Sequence, residues 1–257
     1  MKLIRYQSPQ GPRFGELVDD RIVPLEGAFP EFRPVPNAKH LCLSDERLLT
    51  PVQPSKIVAV GPNYRAHLAG RPHPARPFLW VKPPSTCTNP GDPIVLPREW
   101  PDAVPFNHES EIAMVIGRHA RNVAVDEAAQ YIYGYTCIND VTGGKMDDKP
   151  AFRGSNAFVD GKIFDTFAPL GPWIETGFDP SDVRIRCSVN GELRQDHRSS
   201  DMIWSCHELL VYISSVMSLV PGDVIATGSP PGSKPLHPGD QVEIDIEGLG
   251  MLANPVC

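Results

Sequence analysis

Two glutamates separated by one residue, Glu109 and Glu111, begin the apolar run His108-Glu109-Ser110-Glu111-Ile112-Ala113-Met114-Val115-Ile116. If this run is a strand, side chains alternate between faces, so both carboxylates share a face with Ala113 and Val115. Two carboxylates at the mouth of a core repel unless a positive group lies between them, and a hard divalent cation is one such group. An isolated Glu-x-Glu is more often a strand end that happens to carry two charges. A second segment, Gly134-Tyr135-Thr136-Cys137-Ile138-Asn139-Asp140, brings another apolar strand to an end at an aspartate. Asp140 is either a turn former or a third ligand at the same mouth. Three oxygen ligands without a thiolate favour Mg²⁺ or Mn²⁺ over zinc.

These residues need strands to hold them, and the composition favours short ones. The 257 residues include 29 prolines and 21 glycines, with 41% hydrophobic and 21% charged residues. That profile excludes a disordered chain, and the prolines exclude long helical bundles. Lys56–Gly61, Phe78–Val81, Pro93–Leu96, Glu109–Ile116, Ile132–Ile138, Val183–Val189, Val224–Ala226 and Gln241–Ile246 read as strands, and Asn190-Gly191 reads as a hairpin turn. The spacing predicts one long helix from Met202 to Leu219, capped by Ser200 or Asp201, and shorter helices at Leu41–Leu49, Asn63–Ala69 and Val125–Tyr131. Residues 1–53 read as a small N-terminal β module and residues 54–257 as the main domain. Irregular alternation of strands and helices disfavours a doubly wound sheet and leaves a mixed α/β, β-rich fold.

Charge excludes other classes. With 24 basic against 31 acidic residues the net charge is −7, and no basic run suggests nucleic acid or an anionic membrane. No apolar stretch approaches a bilayer span. Six scattered cysteines form no metal or redox motif, and reduced thiols in a cytoplasmic protein are expected. Cys206 and His207 are adjacent on the predicted helix, so their side chains diverge and cannot act as a nucleophile–base pair.

Seven segments occur in a telling order: Val60-Gly61-Pro62-Asn63-Tyr64-Arg65-Ala66-His67, Phe78–Pro83, Glu109–Ile112, Gly134–Val141, Lys162–Pro172, Val189–Gln195 and Leu219–Pro230. Together, over residues 55–254, they resemble the fumarylacetoacetate hydrolase family. The resemblance implies a catalytic β-roll or barrel domain behind a small N-terminal β module, assembled as a homodimer. It implies Glu109, Glu111 and Asp140 as ligands of Mg²⁺ or Mn²⁺ and Lys162 as a catalytic lysine near the metal. His67 matches the histidine of a catalytic His-Glu pair, and Gln195, Ser229 and Tyr64 fall on the substrate side.

The chemistry implied is Lewis-acid stabilisation of the enolate of a 2-oxo acid or 1,3-dicarbonyl. Carbon–carbon hydrolysis of an acylpyruvate-like substrate is the leading expectation. An oxaloacetate-type decarboxylase or a 2-hydroxyhepta-2,4-diene-1,7-dioate-type isomerase is the alternative. A catalytically weak acid-binding or structural member of the family is a third reading. Two departures bear on the choice. Gly70 stands where the glutamate partner of His67 is expected, and Thr142-Gly143-Gly144-Lys145 lacks an arginine that often meets substrate.

Overall fold

The computed structural model describes residues 1–97, 105–143 and 161–257. Gly144 and Lys145 of the expected substrate loop lie outside them. The strands are β1 (Lys2–Ser8), β2 (Gly11–Val18), β3 (Arg21–Ala28), β4 (Glu31–Pro34), β5 (Leu41–Cys42), β6 (Leu48–Leu49), β7 (Ile57–Gly61), β8 (Phe78–Lys82), β9 (Cys87–Thr88) and β10 (Phe106–Asn107). They continue with β11 (Ser110–Ile116), β12 (Ile132–Asn139), β13 (Thr142–Gly143), β14 (Ala168–Glu175), β15 (Arg184–Val189), β16 (Glu192–Arg198), β17 (Val224–Ala226), β18 (Pro235–Leu236), β19 (Gln241–Ile246) and β20 (Gly250–Pro255). The largest sheet runs β4-β3-β2-β1-β14-β12-β11-β17-β7-β8, and β16-β15-β19-β20 form a second. The expected β-rich, mixed α/β architecture is observed, with the large sheet curled into a half-barrel.

β11 shows how both faces of this sheet are used. Ile112, Met114 and Ile116 pack into a core shared with β15, β19 and the helix α1 (Cys206–Val216). Ala113 and Val115 face a second core with Ile57 and Ala59 of β7, Ile138 of β12 and Leu170 of β14. Strand alternation therefore separates two hydrophobic layers, and Glu111 shares the parity of the second.

Several local elements differ from expectation. α1 begins at Cys206 rather than Met202, because Ser205 is its N-cap in a reciprocal capping box with Glu208. Upstream, Ser199–Asp201 form a 3₁₀ turn, and the Trp204 N–H is taken by Asn63 Oδ1 at 2.8 Å. Leu41–Leu49 is two short strands around a 3₁₀ turn rather than a helix, because β3 and β1 supply pairing partners. The Val125–Tyr131 candidate reduces to a 3₁₀ turn at Ala128–Tyr131, and the Asn63–Ala69 candidate to one at Arg65–Leu68. Pro93–Leu96 forms only an isolated bridge, Ile94 to Val256. The N-terminal strands join the main sheet directly, with Lys2 and Leu3 of β1 paired to Glu175 and Ile174 of β14.

Candidate metal and acid-binding site

Three strand ends converge on the face that carries Ala113 and Val115. Ser110 pairs with Asn139, so Glu109 and Asp140 lie side by side one residue beyond the paired positions. The Asp140 N–H donates to the Glu109 carbonyl at 2.9 Å, and Asn139 Oδ1 accepts from the Glu109 N–H at 2.9 Å. Alternation then places the carboxylates of Glu109, Glu111 and Asp140 together, with one ligand oxygen from each within 4.8 Å of the others.

Lys82 completes the group from β8. Four strand steps separate β8 from β12 in the sheet order, which would be roughly 19 Å in a flat sheet. Lys82 Nζ nevertheless lies 2.6 Å from Asp140 Oδ1. The curl of the sheet closes that gap. Lys162 reaches the same carboxylate from the other side, at 2.6 Å from Asp140 Oδ2 and 2.7 Å from Glu109 Oε2. Its ammonium also stands over the Trp80 ring, 4.7 Å from the centroid.

Lys82, Glu111 and Asp140 are fully buried, and Lys162 nearly so. Burial works against charge on Asp140, but Lys162 and Lys82 outweigh it and hold the carboxyl below the ordinary aspartate range. Burial likewise opposes the Lys162 charge, yet Asp140 and Glu109 keep its ammonium above the ordinary lysine range. Lys82 is shifted down, by burial first. Glu111 goes the opposite way from Asp140: burial, then the neighbouring Asp140 charge, pushes its carboxyl well above the usual carboxylate range. Its Oε2 accepts the Gly228 N–H at 2.7 Å, while Oε1 is buried without a partner. Three oxygen donors plus one orphaned carboxylate oxygen fit a hard divalent cation.

The Gly228 contact requires glycine. The residue has φ +95°, and a Cβ there would lie 2.7 Å from Asn63 Cβ. Asn63 itself ties three segments together: its amide donates to the Thr227 and Trp204 carbonyls at 2.7 and 3.0 Å. This fixes the short turn that carries His67, whose Nε2 lies 2.9 Å from the Ser229 carbonyl. A carbonyl can only accept, so Nε2 donates and Nδ1 is the basic nitrogen.

A pocket of about 150 Å³ opens in front of the cluster, with Gly61, His67, Trp80, Glu109, Lys162 and Ser229 on its wall. Of the residues expected at the site, His67, Lys162, Ser229 and Glu109 line it. Glu111 and Asp140 stand behind Lys162. Gln195 and Tyr64 do not line it. Tyr64 is fully buried in the core beneath α1, its hydroxyl unpartnered, and burial followed by Glu111 raises its pKa well above the usual range.

Gln195 lies behind Ser229 in a buried polar network. Its Oε1 accepts from the Ser110 N–H and hydroxyl at 3.2 and 2.9 Å. His108 Nδ1, 3.1 Å from the same oxygen, must therefore be the protonated nitrogen. Burial pushes the His108 imidazole down to about 4, which keeps it neutral at physiological pH. The Gln195 amide is thereby oriented to donate to Ser229 Oγ at 2.9 Å and the Pro230 carbonyl at 2.6 Å. Both amide hydrogens are used, so the Ser229 hydroxyl receives a bond from Gln195 and itself donates to the Pro230 carbonyl in a long 3.3 Å contact. Lys82, Trp80 and His108 were not singled out from sequence. For Lys82 the signal existed, because Trp80 and Lys82 repeat on β8 the end-of-strand alternation of Glu109 and Glu111.

The curled sheet thus brings together an all-oxygen acidic cluster whose donors fit a divalent cation, a bridging lysine and a small pocket in front of them. The profile described as fumarylacetoacetate (FAA) hydrolase C-terminal matches residues 56–257, and one described as Rv2993c-like, N-terminal matches residues 1–51. The chain belongs to the fumarylacetoacetate hydrolase family, whose members include hydrolases, isomerases and tautomerases. It is similar to 5-carboxymethyl-2-hydroxymuconate delta-isomerase from Mycobacterium smegmatis, at 40% identity and TM-score 0.88, covering 100% of this chain and 99% of that one. Maleylpyruvate hydrolase from Sphingobium sp. SYK-6, solved with manganese(II) and pyruvate, is 30% identical with TM-score 0.81, over 100% and 98% of the two chains. A mitochondrial oxaloacetate tautomerase of Bos taurus is 37% identical over 83% of this chain and 70% of its own length.

Proposed function

We propose that the protein is a divalent-metal-dependent enzyme that moves a proton between carbon and oxygen in a small 2-oxo acid or its enol, as an isomerase or tautomerase. The observation that carries this reading is the carboxylate cluster of Glu109, Glu111 and Asp140 behind a pocket lined by two proton carriers, Lys162 and His67. A cation held by those carboxylates, Mg²⁺ or Mn²⁺, would supply Lewis-acid stabilisation of negative charge on the substrate's oxygens. His67, with Nε2 anchored on the Ser229 carbonyl, presents Nδ1 as the acceptor for a substrate proton. The Ser229 hydroxyl, whose proton is held only by the long 3.3 Å contact to the Pro230 carbonyl, can turn it to an anionic oxygen of the substrate. The pocket of about 150 Å³ is smaller than the roughly 300–1,000 Å³ typical of drug-sized ligands, which suits a small acid.

Carbon–carbon hydrolysis is the second reading. It is favoured by the likeness to a maleylpyruvate hydrolase and by the position of His67 on the pocket wall. Proton transfer ranks first because hydrolysis calls for a histidine held by a carboxylate, and Gly70 occupies that partner's position. Gly70 has φ +82°, so a glutamate there would also require a strained backbone. The test offers the purified protein enolic oxaloacetate, 2-hydroxymuconate-type dienes and acylpyruvates, each with Mg²⁺ and with EDTA. Metal-dependent tautomerisation or isomerisation without cleavage supports the reading. Faster release of pyruvate from acylpyruvates would replace it with hydrolysis, and turnover unaffected by EDTA would remove the metal from either.

A further inference from the structure

Arg5 lies in the middle of β1, in the run Leu3–Tyr6 that is buried without a break. Its alternation matches Leu3, so it points to the face on which Leu3 packs against the main sheet. Only 9% of the residue remains exposed. An arginine this buried ordinarily meets a carboxylate. Among the described residues Arg5 enters no salt bridge, and its one hydrogen bond is a 3.5 Å contact from Nη1 to the Thr50 carbonyl, at the outer limit of such a bond. Burial draws the guanidinium below its ordinary range, and no carboxylate draws it back.

The remaining donors face a cavity of about 360 Å³ that Arg5 shares with Gln7, Leu49, Thr50, Gln53 and Asn89. This cavity has no wall residue in common with the pocket in front of the carboxylate cluster. Asn89 is held firmly, accepting the Thr50 N–H at 2.8 Å and donating to Asp92 at 2.7 Å. Asp92 is itself neutralised by a two-pronged contact from Arg47 at 2.7 and 2.8 Å. The nearby acid is therefore already matched, and the Arg5 fork is left for something else.

We propose that this cavity is a second ligand site, for a small monocarboxylate. A planar guanidinium matches a carboxylate in two parallel bonds. Arg5 is the only charged residue among the described wall residues, so one negative charge balances the site and a phosphate dianion does not. Val52, Pro54 and Pro84 provide an apolar lining for a short carbon chain beyond the carboxylate.

Propionate is the probe. In ¹⁵N-labelled protein carrying Mg²⁺, one arginine Nε–H resonance should shift saturably with millimolar propionate, and that resonance should be the one missing from Arg5→Gln. Calorimetry should show Arg5→Gln binding propionate about tenfold more weakly or worse, a loss of about 1.4 kcal/mol or more, while Asp140→Asn binds it as the parent does. If Arg5→Gln does not fold, a propionate-soaked crystal of the parent decides, with the carboxylate expected on the Arg5 fork. Three results would each overturn the proposal: no saturable arginine shift and no propionate on Arg5, affinity lost in Asp140→Asn but kept in Arg5→Gln, or inorganic phosphate binding there more tightly than propionate.

Discussion

Glu111→Gln separates the roles of charge and packing at the cluster. In the absence of a cation, Glu111 is the one carboxyl of the three that the fold holds toward its neutral form, whereas Lys162 and Lys82 balance Asp140 and Lys162 also meets Glu109. A carboxamide has the same shape. Its oxygen can keep the Gly228 N–H, and its NH₂ can take the place of the orphaned Oε1 beside the other two carboxylates. The variant should therefore match or exceed the parent's stability in EDTA at pH 8, by up to about 1–3 kcal/mol, the cost range of an unsatisfied buried polar group. Mg²⁺ should have contrasting effects. For the parent at 100 times its dissociation constant, binding adds about 2.7 kcal/mol, or roughly 5–11 °C in melting temperature for a chain of this size. The variant should show almost none of that rise. Thermal melts of both proteins, with EDTA and across a Mg²⁺ series, measure all four quantities. A variant that melts well below the parent in EDTA yet gains as much from Mg²⁺ would refute this account of Glu111.

Stability of the metal-free protein should depend on pH through the same group. Because its carboxyl is raised in the fold, the native state binds the proton more tightly, so this contribution is present below the ordinary glutamate value of about 4.3 and lost as pH rises toward the raised one. Saturating Mg²⁺ should cancel that decline, and denaturant titrations at several pH values would show it; a metal-free protein that gains stability over this window would contradict it. Gln195→Met should cost about 2–6 kcal/mol, since the buried Ser110 N–H and hydroxyl lose their acceptor at once, while His108 Nδ1 and the Pro230 carbonyl keep only the 3.3 Å contacts to Cys187 Sγ and Ser229 Oγ. That loss should appear equally with and without Mg²⁺, and a urea midpoint equal to the parent's would show the network is not fixed by Gln195. His67→Ala should lower metal-dependent tautomerisation about 100-fold or more, in line with the scale of general-base effects, and turnover equal to the parent's would remove His67 as the base.

Alternation made the shared face of Glu109 and Glu111 legible in the sequence, whereas spacing left Asp140 open as a turn former and the resemblance to the family supplied it as the third member. Lys82 was not legible, because nothing local tells a strand lysine that four strand steps will be closed by curvature. The strand β14 was missed for a different reason. Pro169 and Pro172 interrupt Ala168–Glu175, and proline argues against an interior strand, yet the pairing with β12 shifts register beside this segment and accommodates it. α1 was predicted too long, since the residues before Ser205 are apolar enough for a helix but are drawn into contacts with Asn63. Gln195 was found through the resemblance, but its burial behind Ser229 depends on β16 packing behind the site and leaves no mark in the local pattern.

The pairing of β1 with β14 bears on how this chain can be divided. The first fifty or so residues have their own profile, and a boundary near residue 53 invites cutting the chain there. Yet that cut would strip the Ile174–Glu175 end of β14 of its Leu3 and Lys2 neighbours and uncover the backbone donors and acceptors there. An exposed edge of this kind recruits whatever strand is at hand, including another copy of the same chain. A truncated protein should therefore be sought in the aggregate before it is judged unable to fold.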